Sequence, residues 1–316
     1  MAILGIDIGG TRVKAGLVSG AGEVLRRLSS PTPASLDAFT AALRELIANL
    51  LGDAGQPEAI GFGCKGIIDF HTARIEVLPG TLHFLEGSNL ADLAGLSVPV
   101  YADNDARAAL AGEVAWGAGA GCSNVVMFTL GTGVGGGVLA EGQILRGEKG
   151  VAGHLGHITV DPDGPVCICG NHGCLEAVFS ASAIESEAIG AAYRGCASIL
   201  TRLYRQDPAS LTCQAVFQAA AEGDSVALAI RDRAVKYLGA SIAGLIHVFD
   251  PEKVILGGLI SEAGDALFGP VREHVRWRTR VLLGREVPVV KAQVSDSVVG
   301  AAAVALLGRS LAALRA

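Results

Sequence analysis

His157, Cys167, Cys169 and Cys174 follow one another as H-x9-C-x-C-x4-C inside the segment HLGHITVDPDGPVCICGNHGCLE, residues 154–176. One imidazole and three thiolates are a ligand set of a closed tetrahedral zinc site, so zinc is the natural reading. A disulfide is the first alternative, but the chain has seven cysteines, and one would be left over. The opening MAILGIDIGG also lacks the basic n-region of a secretion signal. A redox pair is the second alternative, weakened because the pair is C-x-C rather than C-x-x-C. A His held by metal through one ring nitrogen can turn the other toward a ligand. His172, between the ligands, reads as a solvated loop residue, with a ligand role as its alternative.

A second constellation is YADNDARAAL, which sets Asn104-Asp105 where a strand passes into a helix. A carboxylate there can accept the proton of an alcohol attacking a phosphoryl group. It can equally belong to an ordinary helix cap, with Asn104 or Asp103 as the capping residue. Two glycine turns, DIGGTRVK and LGTGVGGG, could present outward N–H groups and a Thr hydroxyl to phosphate. A third, Gly257-Gly258, follows the strand KVIL. Any one of them is more often only a turn, and the Walker A pattern is absent.

The elements that must position these residues follow from periodicity. AILGIDI, RVKAGLV and GEVLRRLSS read as a three-stranded meander whose first turn carries the glycines. LDAFTAALRELIANLLGDAG is an amphipathic helix ending on Gly, and EAIGFGC is the next strand. NLADLAGL, VPVYAD and NDARAALAGEVAWGAG read as short helix, strand and helix. SNVVMFTLGTGVGGGVLAEGQIL repeats the meander, which makes the chain an internal duplication of two βββαβα-like halves. SVALAIRDRAVKYLGASIAGLIHVF is a long helix, DPEKVILGG a strand and turn, and SVVGAAAVALLGRSLAAL a closing helix.

The chain has 316 residues, of which 50% are hydrophobic and 18% charged, and its mean hydropathy is +0.45. That composition builds a large folded core in two lobes. A net charge of −6, with no basic run, excludes a nucleic-acid footprint. Charged residues interrupt each apolar stretch before about 18 residues accumulate, so no membrane span is expected and the protein reads as cytoplasmic. Cys64, Cys122, Cys196 and Cys213 read as reduced core thiols.

Taken together, the three glycine turns resemble the superfamily of sugar kinases, Hsp70 chaperones and actin. Within it, LGTGVGGGVLAEGQILRGEKGVAGHLGH and the cysteine segment after it resemble the ROK family of sugar kinases and repressors, along essentially the whole chain. The resemblance implies an α/β fold of two ribonuclease-H-like lobes, the actin/hexokinase-type ATPase fold, with an interlobe cleft. The expected lobes are residues 1–117 and 118–296, with the helix at about 297–316 returning to the first. It implies ATP, Mg²⁺ and structural Zn²⁺ as cofactors. Zinc would bind His157, Cys167, Cys169 and Cys174. Asp105 would be the general base. Asn104, Asp105, His154, His157 and Glu176 would meet the sugar. Asp7 would hold Mg²⁺ through water, with Gly9, Gly10, Thr11 and Lys14 near the phosphates, Thr132 and Gly133 on the second hairpin, and Gly257 and Gly258 near the nucleotide. The implied partners are a small-molecule sugar and further copies of the chain in a homodimer or higher homo-oligomer, without nucleic acid or membrane.

Three positions depart from the family's pattern. His154 stands where a Glu is usual before Gly-His, Lys65 stands where a Pro is usual, and the Gly80-Thr81 loop lacks a usual Asn. Neutral His offers one donor and one acceptor where Glu only accepts, so the sugar preference is left open. The implied activity is ATP-dependent phosphorylation of a hexose at C6, as in a glucokinase. An N-acetylmannosamine, N-acetylglucosamine, allose or fructose kinase is the alternative. A sugar-sensing repressor is expected to carry a winged-helix domain before the first strand, which here begins at Ala2.

Overall fold

The computed structural model describes residues 2–281 and 284–315, so Ala316 of the expected closing helix lies outside the described residues. The chain sorts into two units. The first takes residues 1–122, 143–153 and 293–316, the second 123–142 and 154–292.

In the first unit, β1 (Ala2–Ile8), β2 (Arg12–Ser19), β3 (Val24–Pro31), β4 (Ile60–Cys64) and β7 (Val100–Asn104) form a sheet in the order β3-β2-β1-β4-β7. A short antiparallel ribbon, β5 (Ile67–Asp69) and β6 (Arg74–Val77), stands apart from it. β1 and β4 are apolar and buried nearly throughout, as central strands covered on both faces must be, whereas the edge strand β3 is almost wholly exposed. β1 is antiparallel to β2 and parallel to β4, and β4 is parallel to β7. Ile8 pairs with Cys64 and Cys64 with Asn104, one row at the carboxyl end of three parallel strands. Gly9, Lys65 and Asp105, the next residues in each strand, therefore leave the sheet side by side.

Leu4, Ile6, Ile60 and Phe62 pack with Phe39, Leu43, Ile47 and Leu50 of α1 (Leu36–Leu51) and with Leu90 and Leu93 of α2 (Leu90–Ala94). Ile3, one residue out of phase, faces the other side and packs with Val298, Ala302 and Ala305 of α10 (Ser297–Arg315). α10 also lies against α3 (Asp105–Trp116). Small residues make this possible, since a Cβ on Gly61 would fall 1.9 Å from the Ala301 carbonyl oxygen. Arg107 of α3, 1% exposed, binds Asp103 through Nε–Oδ1 at 2.5 Å and donates to the carbonyls of Gly150 and Ala152 at 3.0 and 2.8 Å. Arg146 binds the other Asp103 oxygen at 2.8 Å and lies 3.6 Å over the Phe70 ring.

In the second unit the strands run in the order β9 (Val134–Ala140), β8 (Val125–Leu130), β11 (Lys253–Gly257), β12 (Val289–Lys291); the two-residue β10 (Gln143–Ile144) follows β9 in the chain. β8 and β9 form an antiparallel hairpin, and β11 is parallel to both β8 and β12. The helices are α4 (Leu175–Phe179), α5 (Ala181–Tyr193), α6 (Ile199–Gln206), α7 (Cys213–Ala221), α8 (Ser225–Phe249) and α9 (Asp265–Thr279). Asp224 starts α8 by accepting the N–H groups of Val226 and Ala227, and α8 stops where Asp250 turns left-handed at φ 42°. Each unit thus feeds a glycine-turned hairpin into parallel strands, the duplication read in the sequence.

All seven cysteines are free thiols, but only Cys64 and Cys213 of the four expected in the core are buried. Cys122 and Cys196 are half-buried, because both sit at turns among small residues, in AGAGCSN and YRGCASI. Among the described residues no helix is long and apolar enough to cross a membrane.

Candidate active site and metal clip

Asp105 is the first residue of α3, and Asn104, the last of β7, caps that helix by accepting the Ala106 N–H at 3.0 Å. The cap reading of this pair is therefore correct for Asn104. The side-chain amide of Asn104 also donates to the Gly66 carbonyl at 3.0 Å, which leaves its second N–H without a partner among the described residues. The Asp105 carboxylate accepts the same Ala106 N–H at 2.8 Å and is open to solvent. Its surroundings nonetheless thin its hydration, and this desolvation raises its pKa above the usual carboxylate range. The Ala106 N–H opposes the rise, the charge of Asp7 adds to it, and Arg107 and Lys65 oppose it. A carboxylate held accessible but reluctant to ionise suits proton abstraction better than a saturated cap does.

Asp7, at the end of β1, takes the Ser297 hydroxyl on Oδ2 at 2.6 Å, with the Lys14 ammonium 3.7 Å from the same oxygen. Its Oδ1 has no partner among the described residues. Gly9 closes the first turn by donating to the Arg12 carbonyl at 3.1 Å, and Gly10 and Thr11 stand exposed at its tip. Lys14 lies on β2, paired to Asp7 rather than directed at the turn's tip.

In the second unit, Thr132 and Gly133 form the tip between β8 and β9. Gly258 takes φ 83°, and a Cβ there would lie 2.4 Å from the Leu130 carbonyl oxygen, so the second and third glycine turns are neighbours at the carboxyl ends of β8 and β11. Gly257 beside it is buried. Glu176, in the first turn of α4, reaches back to the hairpin, its Oε2 accepting the Val134 N–H at 2.9 Å. It therefore fixes the hairpin's geometry, with Oε1 3.9 Å from the Cys167 sulfur.

The four sequence-picked metal ligands converge. One ligand atom from each of His157, Cys167, Cys169 and Cys174 lies within 4.8 Å of all the others. His157 Nδ1 is 3.6 Å from Cys167 Sγ, and Cys169 Sγ is 3.6 Å from Cys174 Sγ. Donors about 2.0–2.3 Å from a tetrahedral centre stand about 3.5–3.8 Å apart, so the set fits zinc in spacing and chemistry. Because Nδ1 faces the sulfurs, Nε2 of His157 is the nitrogen left to face a ligand. The His154 ring lies parallel to that of His157, at 6.3 Å between centroids and 17° between planes. His172 is exposed and stays outside the cluster.

Sequence reasoning missed Arg107, Arg146 and Ser297. An Arg one turn into a helix carries no signal that it will be buried, and Ser297 meets Asp7 from the far end of the chain.

Glycine-turned hairpins feeding parallel strands in two units, with a carboxylate at the end of β7, define the actin/hexokinase-like class of phosphotransferase folds. The ROK family model matches residues 3–307, and the chain belongs to the ROK family. A glucokinase of Thermotoga maritima is 39% identical over 283 residues, 87% of this chain and 87% of that protein. An N-acetylmannosamine kinase of Escherichia fergusonii is 35% identical over 268 residues, 83% of this chain and 84% of that protein. The crystal structure of a ROK glucokinase from Streptomyces griseus with glucose and AMPPNP superposes at a TM-score of 0.80 with 32% identity, covering 98% of this chain and all of that one.

Proposed function

We propose that this chain is an ATP-dependent hexose kinase of the glucokinase type, acting on the C6 hydroxyl with Asp105 as general base. The carrying observation is the position of Asp105: accessible, raised in pKa, and in the same strand-end row as the first glycine turn. In an in-line transfer the hydroxyl attacks the γ-phosphorus as its proton passes to Asp105, and the bond to the bridging oxygen breaks. The amides of Gly10, Thr11, Thr132 and Gly133 are the outward N–H groups suited to phosphate, with Gly9, Gly257 and Gly258 shaping their turns. Asp7 has a free Oδ1 with which to hold Mg²⁺ through water, and the ion, when bound, supplies charge neutralisation at the phosphates. Lys14, through its pairing with Asp7, belongs to that group.

On the sugar side, the free N–H of Asn104, Nε2 of His157 and Oε1 of Glu176 are the donors and acceptor assigned to hydroxyls, and His154 stacks on His157. Zinc on His157, Cys167, Cys169 and Cys174 is structural in this reading: four protein ligands close its coordination and fix the imidazole. The same reading makes the enzyme a cytoplasmic homodimer. An N-acetylhexosamine is the alternative substrate, supported by the likeness to an N-acetylmannosamine kinase and by His154 replacing the usual Glu.

The test is ADP release with Mg-ATP across glucose, mannose, allose, fructose, N-acetylglucosamine and N-acetylmannosamine. Turnover on glucose that disappears in Asp105→Asn supports the reading; turnover confined to an acetylated sugar moves it to the alternative. Silence on every sugar by folded, zinc-loaded protein refutes it.

A further inference from the structure

The row at the carboxyl end of β1, β4 and β7 leaves one residue unassigned. Ile8 pairs with Cys64 and Cys64 with Asn104, so Lys65 emerges between Gly9, which opens the first phosphate turn, and Asp105. Adjacent strands stand about 4.8 Å apart, so those two neighbours lie within reach of a lysine side chain. Two further contacts fix the position. Gly66, next in the chain, has its carbonyl bound by the Asn104 side chain at 3.0 Å. The Lys65 Nζ lies 3.3 Å from the point where a Cβ on Gly80 would stand, and Thr81 Oγ1 lies 3.4 Å from the same point on Gly10. The loop through Gly80 and Thr81 therefore connects the Lys65 ammonium to the tip of the phosphate turn. Lys65 is half-buried and has no hydrogen bond or ion pair among the described residues.

A partly buried ammonium without a partner is poorly compensated unless a ligand supplies the anion. Here it stands between the turn suited to a phosphoryl donor and the base suited to its acceptor. We propose that Lys65 is a catalytic residue that donates a hydrogen bond to the transferring phosphoryl group. The proposal rests on the kinase reading above. In the step, the bond from Pγ to the β,γ-bridging oxygen breaks, the bond from Pγ to the sugar oxygen forms, and the hydroxyl proton moves to Asp105. Lys65 stays protonated throughout and binds an equatorial oxygen whose share of charge changes during transfer.

Wild type, Lys65→Met and Lys65→Arg are compared with Mg-ATP on glucose and on the rest of the sugar panel. Methionine keeps the length of the stem without the charge, and thermal melts check that each variant folds. Loss of one preorganised donor lowers kcat by roughly 10²–10³-fold, with the KM for sugar changed by less than about threefold, and Arg restores at least part of the rate. Removing Lys65 also removes one of the charges that lower the pKa of Asp105, the others facing it being Arg107 of α3, which lowers it, and Asp7 of β1, which raises it. The acid limb of the kcat profile therefore moves to higher pH in Lys65→Met and stays in place in Lys65→Arg. An active wild type with Lys65→Met retaining its kcat overturns the assignment alone. So does a variant that keeps kcat but changes its preferred sugar, because Lys65 would then be reading the sugar. A wild type silent on every sugar overturns the kinase reading and this assignment with it.

Discussion

At the scale of the residue, opposing influences meet on the carboxyl of Asp105. One oxygen is tied to the Ala106 N–H, which favours the charged form, while thinned hydration and the charge of Asp7 favour the neutral one. Desolvation is the largest influence, so the folded pKa lies above the unfolded value of about 3.9. A carboxyl raised on folding contributes stability only below its unfolded pKa, and loses that contribution as pH rises through the folded one. At neutral pH the ionised Asp105 therefore opposes folding. Asp105→Asn is expected to melt at or above wild type at pH 7–8, the difference vanishing below about pH 4. Its kcat falls by roughly 10²–10⁴-fold, the usual contribution of a positioned base. Thermal melts across pH, run beside ADP-release kinetics, check both; a lower melting temperature at pH 7.5 would mark the carboxylate as structural. Wild-type kcat falls as pH drops through the raised pKa, since only the ionised form accepts the proton.

At the scale of the element, two short pieces carry more than their length suggests. The segment holding the thiols has little apolar core of its own, with Val166 and Ile168 at 67% and 92% exposure, so in the proposed reading metal on the four ligands adds to the backbone hydrogen bonds that hold it. Through Glu176 the same segment holds the Val134 N–H at the root of the second glycine hairpin. Cys174→Ser should reduce bound zinc well below one per chain by metal analysis, lower the melting temperature, and depress turnover along with it. Full activity in metal-free protein would show that the clip does not support the site. The second piece is the contact of α10 with β4. Gly61→Ala pushes a methyl into the Ala301 carbonyl, and relief requires α10 to move off the sheet. A loss of about 1–3 kcal/mol in denaturant unfolding is expected, the range for overpacking a filled core.

At the scale of the whole molecule, the chain changes unit four times, after 122, 142, 153 and 292, and something must hold each excursion. For residues 143–153 it is the buried Arg107, which links Asp103 to two carbonyls of that excursion, while Arg146 brings a second guanidinium to Asp103 from the excursion itself. Arg107→Met leaves the carboxylate of Asp103, 0% exposed, with the Asn104 N–H and the partly exposed Arg146, and orphans both carbonyls. Breaking a buried pair from one side costs about 3–5 kcal/mol, read as a shift in the urea midpoint. Hydrogen exchange should rise first at residues 147–153. A midpoint unchanged within error would show that the excursion is held by its apolar contacts instead.

Periodicity and residue type determined much of this protein before any coordinates. The meander, its repeat, α1, α3, α8 and α10 are legible because each is a sustained run rich in apolar residues, most of them bounded by Gly, Asn or Asp. The thiols and His157 are legible because a metal site needs particular atoms, and those atoms occur at close spacing. The helices α5 and α7 went unread because Ala makes up much of their apolar faces, α6 because it is only eight residues long, and α9 because Gly269-Pro270 is a pair that ordinarily interrupts a helix. Only the tertiary structure set Lys65 between Gly9 and Asp105, tied Glu176 to the second hairpin, and brought Ser297 onto Asp7 across 290 positions of sequence. Those placements depend on parallel strand register and on a helix returning from the chain's end. Such long-range pairings are chosen by the packing of whole faces, and the residues that meet at their ends carry no local mark of it.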